Sequence, residues 1–178
     1  AITHNAINLS QGFPDYDPPQ EVIEAARQAL GTGGNQYTIT WGISPLRLAI
    51  AEKMKSWYGL EFDPDEHITV TCGVTEALRD TMMSLVNPGD EVILIEPFHE
   101  GYLPAVVFAG GKPRFVPLEP PDYALDLDRL RSAFNARTRM ILINTPHNPT
   151  GHVFTREELE GVAEMCLEFK FLAVNDEI

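Results

Sequence analysis

The feature that most constrains the fold is an alternation. Short apolar runs with strand character, ITVTC (68–72), EVILI (91–95), PRFVPL (113–118), RMILIN (139–144) and FLAVN (171–175), are separated by segments of helical pattern. Nearly continuous apolar strands between helices call for a mostly parallel sheet covered on both faces, a three-layer α/β/α arrangement. The intervening helices are expected to begin near Thr75, Tyr102, Asp126 and Thr155. Thr155 stands three residues before Glu158, the spacing of a capping box, and NPGD at 87–90 is a turn between a helix and a strand.

Upstream, DPPQEVIEAARQAL (17–30) opens with a capping residue and prolines and sets Val22, Ile23, Ala26 and Leu30 on one helical face. The loop GTGGNQYTITWG follows, glycine-rich yet carrying Tyr37 and Trp41, large rings that a plain linker does not need. Ser44 and Pro45 have the character of a cap and first residue of a helix reaching Tyr58, with Gly59 placed to end it.

A length of 178 residues with 44% apolar content supports a substantial core. Twenty-six acidic against 13 basic residues, a formal charge of −13, argue against nucleic acid or anionic lipid as partners. No apolar run approaches membrane-spanning length and the first residues lack the pattern of a signal peptide, so a soluble, cytoplasmic protein is expected. Cys72 and Cys166 form no CxxC and no metal-type cluster, and reduced thiols are the expectation.

In open α/β sheets ligands gather outside the carboxyl ends of the strands, so the residues that follow each strand are the ones to read for chemistry. Run 68–72 leads into Gly73, Val74 and Thr75 and then a helix. A glycine turn opening a helix offers free N–H groups and a positive dipole end to a phosphate, although a tight turn with Thr75 as a simple cap is the plainer reading of those three residues. Neither GxxxxGK[ST] nor GxGxxG is present. Run 91–95 ends in EPFHEGY and brings His99 to the same edge; run 139–144 ends in NTPHNPTG, a stiff loop bearing Asn144, His147 and Asn148; run 171–175 delivers Asp176, an acid that needs a partner if buried. An anion cradle, a flat ring, an amide and a carboxylate together match a phosphorylated aromatic heterocycle, and pyridoxal 5′-phosphate fits all four roles.

LSQGFPDYDPP, NQYTITWG, ITVTCGVTEAL, NPGDEVILIEPFHEGY, FAGGKPRFVPL, TRMILINTPHNPTGHVF and NDEI, in this order, resemble the class I/II aminotransferases of fold type I, across nearly the whole chain. QGFPD followed by NQYT is most similar to the kynurenine, glutamine and methionine aminotransferase group. The resemblance implies an incomplete large cofactor-binding domain over 42–178, preceded over 1–41 by part of the small domain and a dimer-contact loop. It also implies pyridoxal 5′-phosphate as cofactor, an L-amino acid and a 2-oxo acid as substrates, and a homodimer. Gly73, Val74 and Thr75 match the phosphate turn, with Val74 where the family often has a smaller residue. His99 matches the ring stacked on the cofactor, usually Tyr or Phe, and brings a titratable group to that position. Asn148 matches the amide that meets the cofactor's phenolic oxygen and helps orient the substrate carboxylate. Gly12 matches a backbone contact to that carboxylate, Tyr37 a contact to the neighbouring subunit's phosphate, and Asp176 the acid that keeps the pyridine nitrogen protonated.

The family's Schiff-base lysine lies well downstream of the block that NDEI begins, and Lys53, Lys55, Lys112 and Lys170 lie in other contexts. The chain is therefore expected to be the N-terminal half of an aminotransferase, inactive in transamination by itself. Three other readings stay open at this point: a β-eliminating C–S lyase on the same fold, a non-enzymatic ligand-sensing module of a regulator, and a metal site built from His147, His152 and Asp176.

Overall fold

The computed structural model describes residues 1–8, 12, 14–32 and 34–177. Parts of LSQGFPD (9–11 and 13), Gly33 in the glycine-rich loop and Ile178 of NDEI lie outside the described residues. The chain divides into two compact units, Ala1–Thr69 and Val70–Ile178.

The first unit holds a short 3₁₀ turn, Ile2–His4, and two helices, α1 (Gln20–Gly31) and α2 (Ser44–Tyr58). α1 starts directly after Pro19 with no side chain capping it, so the expected capping residue upstream plays no such part. Its apolar face forms as the periodicity requires but buries nothing: Val22 is 59% exposed and Leu30 70%. In α2 the cap is Ile43 and Ser44 is already helical, one residue from the expected boundary. Gly59 ends this helix in the left-handed region at φ 68° and returns its N–H to Lys55. The fixed point of this unit is Arg47, which is buried. Its Nε donates to the Gly42 carbonyl at 3.0 Å, and Nη1 reaches the Pro64 carbonyl and, at 2.6 Å, the Asp65 carboxylate.

The second unit is the three-layer part. Four strands, β1 (Glu91–Glu96), β2 (Lys112–Pro117), β3 (Thr138–Asn144) and β4 (Leu172–Asp176), form one parallel sheet in the order β2-β1-β3-β4. Successive side chains of a strand face opposite ways, and the core divides accordingly. Ile93, Ile95, Ile141 and Ile143 face α5 (Leu127–Ala133) and α6 (Arg156–Phe169), packing on Leu130, Val162 and Met165. Val92, Leu94, Met140 and Leu142 face α3 (Val74–Leu85) and α4 (Tyr102–Phe108), packing on Leu78, Met82 and Val106. This is the expected α/β/α layering.

The helix starts follow their local chemistry. Asp126 caps α5 by accepting from Asp128 and Arg129 N–H, and Thr155 and Glu158 form the capping box of α6. One expected strand is absent, since residues 68–72 join no ladder. A strand exists only as part of a pair, and among the described residues this segment pairs with none. No helix among the described residues is long and apolar enough to cross a membrane.

Candidate functional site

All four strands of the sheet run the same way, so β1, β3 and β4 end at one edge. There a hollow of about 350 Å³ is lined by Val74, His99, Asn148, Asp176 and Glu177. The side chains singled out after four separate runs of sequence thus border one space. Hollows of similar size lie beside α2, bordered by the ion-paired Lys55 and Glu61, and between β2 and α5. Neither lies where strand ends converge, and chemistry rather than size decides between them.

Asp176 is the last residue of β4 and lies in register with Asn144, the last of β3. Asn144, only 2% exposed, ties two elements of the site together. Its Nδ2 donates to the Asp176 carbonyl at 2.8 Å, and its Oδ1 accepts the Asn148 N–H at 2.6 Å. The Asp176 side chain is held separately, since Oδ2 accepts from the hydroxyl of Tyr102 at 2.6 Å. Tyr102 is the first residue of α4 and is 3% exposed. Burial, together with the adjacent carboxylate, pushes its phenol far above the ordinary value, so it stays a proton donor. Among the described residues no hydrogen bond reaches the other carboxylate oxygen, Oδ1.

His99 stands half-buried between β1 and α4. Its Nδ1 accepts the Gly101 N–H at 3.1 Å, so in the neutral ring the proton sits on Nε2. The ring is tilted 54° to that of Tyr102, with centroids 5.6 Å apart. Its neighbour Phe98 stacks on Phe115 of β2 at 5.8 Å and pins the loop to the sheet.

Gly73 caps α3 at φ 83° and ψ 171°, a conformation that glycine adopts without strain. Thr75, read in the plainer alternative as a cap, lies inside the helix and makes no capping bond. Val74 and Thr75 are exposed, so the first-turn amides retain their capacity to meet an anion. Glu76, also in that turn, is engaged by the Cys72 N–H.

The loop after β3 is built on buried polar contacts. His147 Nδ1 lies 2.8 Å from the Thr150 hydroxyl, its N–H donates to the His152 carbonyl, and its carbonyl accepts from Gly151. Burial, with the nearby His152, lowers the His147 pKa and favours the neutral ring. His152 instead faces Glu158, with Nε2 3.3 Å from both carboxylate oxygens. His147, His152 and Asp176 therefore have separate partners, and no group of three or more His, Cys, Asp or Glu among the described residues is arranged to hold a metal ion. The remaining two site candidates, Gly12 and Tyr37, belong to the first unit; Gly12 is exposed and Tyr37 wholly so.

Sequence reasoning overlooked Tyr102 as a site residue. The available signal was its place, a hydroxyl-bearing ring at the start of a helix that directly follows a strand end.

Comparison with known proteins agrees with this architecture. The profile of the family "Aminotransferase class I and II" matches residues 4–178. Human kynurenine–oxoglutarate transaminase 1 is 40% identical over all of this chain and 45% of its own length. The structure of N-succinyldiaminopimelate aminotransferase from Mycobacterium tuberculosis superposes with a TM-score of 0.93 at 44% identity, over 98% of this chain and 46% of that one. YbdL from Escherichia coli, whose structure and reactivity identify a methionine aminotransferase function, gives 0.94 at 38% identity, over 98% and 46%. The chain spans about half the length of the curated relatives it matches. With a family profile matched over nearly its whole length and the parallel sheet its solved relatives share, the chain belongs to the class I and II aminotransferases.

Proposed function

We propose that this chain forms the cofactor-holding half of an enzyme that moves an amino group between an L-amino acid and a 2-oxo acid. Pyridoxal 5′-phosphate is the cofactor of the class I and II aminotransferases. The donor set of this chain fits it: a carboxylate with one oxygen engaged and one open, an amide, a flat ring and an uncapped helix start border or adjoin one hollow. That convergence at the carboxyl ends of β1, β3 and β4 is the observation that carries the reading.

Each group has work suited to its chemistry. The backbone N–H groups of Gly73, Val74 and Thr75, at the positive end of α3, take the phosphate. His99 would lie against the ring face, and the Asn148 amide would meet the phenolic oxygen and orient the substrate carboxylate. Asp176 holds a proton on the ring nitrogen, since a carboxylate beside a cationic N–H favours the charged form. When bound, the cofactor supplies an electron sink for the charge released as the substrate Cα proton leaves. Asp176 makes that sink effective electrostatically, without exchanging its own proton. In the first unit, Gly12 offers its backbone to the substrate carboxylate, and the exposed Tyr37 reaches the phosphate of a second copy, making the active species a homodimer. QGFPD followed by NQYT supports a place in the kynurenine, glutamine and methionine group, and the cytoplasm is the proposed location.

The test is transamination by the full-length protein supplied with pyridoxal 5′-phosphate, using a panel of amino acids and 2-oxo acids. Asp176→Asn is expected to retain the cofactor, more weakly, and to lose turnover by about a hundredfold or more. Near-normal turnover in that variant would contradict the assigned role, and pyruvate plus ammonia with no amino transfer would mark a β-lyase instead.

A further inference from the structure

Tyr102 stands out among the buried polar groups of the second unit. Its ring belongs to the core between the sheet and helices α3 and α4, beside Leu78, Met82 and Leu94. A phenylalanine would fill that space without burying a hydroxyl, and a buried hydroxyl costs free energy unless it is hydrogen-bonded. Here its hydroxyl donates to Asp176 Oδ2, 74 residues away in sequence and 2.6 Å away in space. The same aspartate has its carbonyl fixed by the buried Asn144. Main chain and side chain are therefore anchored from two different elements, one oxygen is engaged, and Oδ1 is left for a ligand in the hollow.

We propose that Tyr102 is a positioning residue that locks the Asp176 carboxylate in one orientation and so sets its grip on the ring nitrogen of the cofactor. This rests on the reading of Asp176 given above. A carboxylate on a short, rotatable side chain at a strand end otherwise samples several orientations, and ordering it on binding weakens the interaction. A charge-assisted hydrogen bond from a core-held phenol removes that freedom beforehand. His99 and Glu177, the other titratable groups lining the hollow, have partners of their own: His99 Nδ1 accepts the Gly101 N–H and Glu177 Oε1 accepts from the Asn175 amide.

The experiment compares the full-length protein with Tyr102→Phe, Asp176→Asn and the double variant, measuring the dissociation constant for pyridoxal 5′-phosphate by fluorescence quenching and the absorption band of the bound cofactor. Tyr102→Phe is expected to weaken binding by about three- to tenfold, the scale of one hydrogen bond's net contribution, and to shift the band. In the Asp176→Asn background the same substitution is expected to change neither by more than about 1.5-fold, because the group it acts through is gone. Equal weakening in both backgrounds, or none in either, overturns the positioning role while leaving Asp176 in place. If Asp176→Asn itself changes neither quantity, the reading of the site fails and this inference with it. Melting temperatures of the four proteins identify any general loss of packing.

Discussion

Glu91 begins β1 at the end of the strand away from the hollow, and it is buried. The Asn135 amide donates to Oε2 at 2.7 Å, Arg137 Nε to Oε1 at 2.8 Å, and Arg114 lies 3.3 Å from Oε2. The Asn135 bond does most to hold the carboxyl below its ordinary value; burial opposes it, and the two arginines add to the lowering. A folded-state value below the unfolded one gives stability that is complete above about pH 4.5 and is lost as pH falls through the folded value. Glu91→Gln is expected to lower the unfolding free energy at pH 7 by about 1–3 kcal/mol and to flatten the acid limb of stability below pH 4.5. Urea titrations at pH 7 and pH 4 decide this, and an unchanged acid limb would remove Glu91 from the account. Legibility at this scale follows sequence distance. Val74, His99, Asn148 and Asp176 could be singled out because each closely follows an apolar run. The bond from Tyr102 to Asp176 and the cage around Glu91 join residues 23 to 74 positions apart, and no local pattern announces them.

Among elements, β2 illustrates how an edge strand is kept from further pairing. It lies at the end of the sheet order, and the Lys112 and Leu118 N–H groups donate to Asp90 and Glu96 on the β1 side. Alternate residues of a parallel strand point their amides to opposite neighbours, so positions 113, 115 and 117 face outward. Two of these, Pro113 and Pro117, have no N–H, which leaves Phe115 as the sole outward donor of the strand. Restoring both donors with Pro113→Thr and Pro117→Thr is expected to promote edge-to-edge association, visible by sedimentation velocity as species larger than those of the parent at equal concentration. An unchanged distribution would show that the prolines do not guard this edge. The run PRFVPL was readable as a strand because its apolar and β-branched residues sit between turn signals, and the ladder begins one residue earlier. Residues 68–72 carry an equally good local signal and form no strand, because pairing depends on what lies alongside. The periodicity of α1 was likewise sufficient to identify a helix and silent on what its apolar face meets.

Across the whole molecule, apolar burial is unevenly shared. Every buried hydrophobic residue from Leu78 to Met165 belongs to the second unit, while Val22, Leu30, Tyr37, Ile39, Trp41, Ile43, Leu46 and Leu48 of the first are exposed. The central strands β1 and β3, paired on both sides, have the most to lose on opening, and their amides are expected to exchange only in global unfolding. Amides of α1 have no buried side chains behind them and are expected to open locally. The proposed homodimer adds a specific consequence. A partner that covers part of the first unit stabilises it by mass action, so its protection depends on protein concentration as a bound ligand's would. Hydrogen exchange of the full-length protein, followed at concentrations spanning about a hundredfold, is expected to slow over residues 20–48 by up to about the same factor as dimer replaces monomer, with residues 92–95 and 140–143 unchanged. Concentration-independent exchange over 20–48, in a protein shown by sedimentation to pass from monomer to dimer over that range, would move the interface elsewhere and remove Tyr37 from the partner's phosphate site.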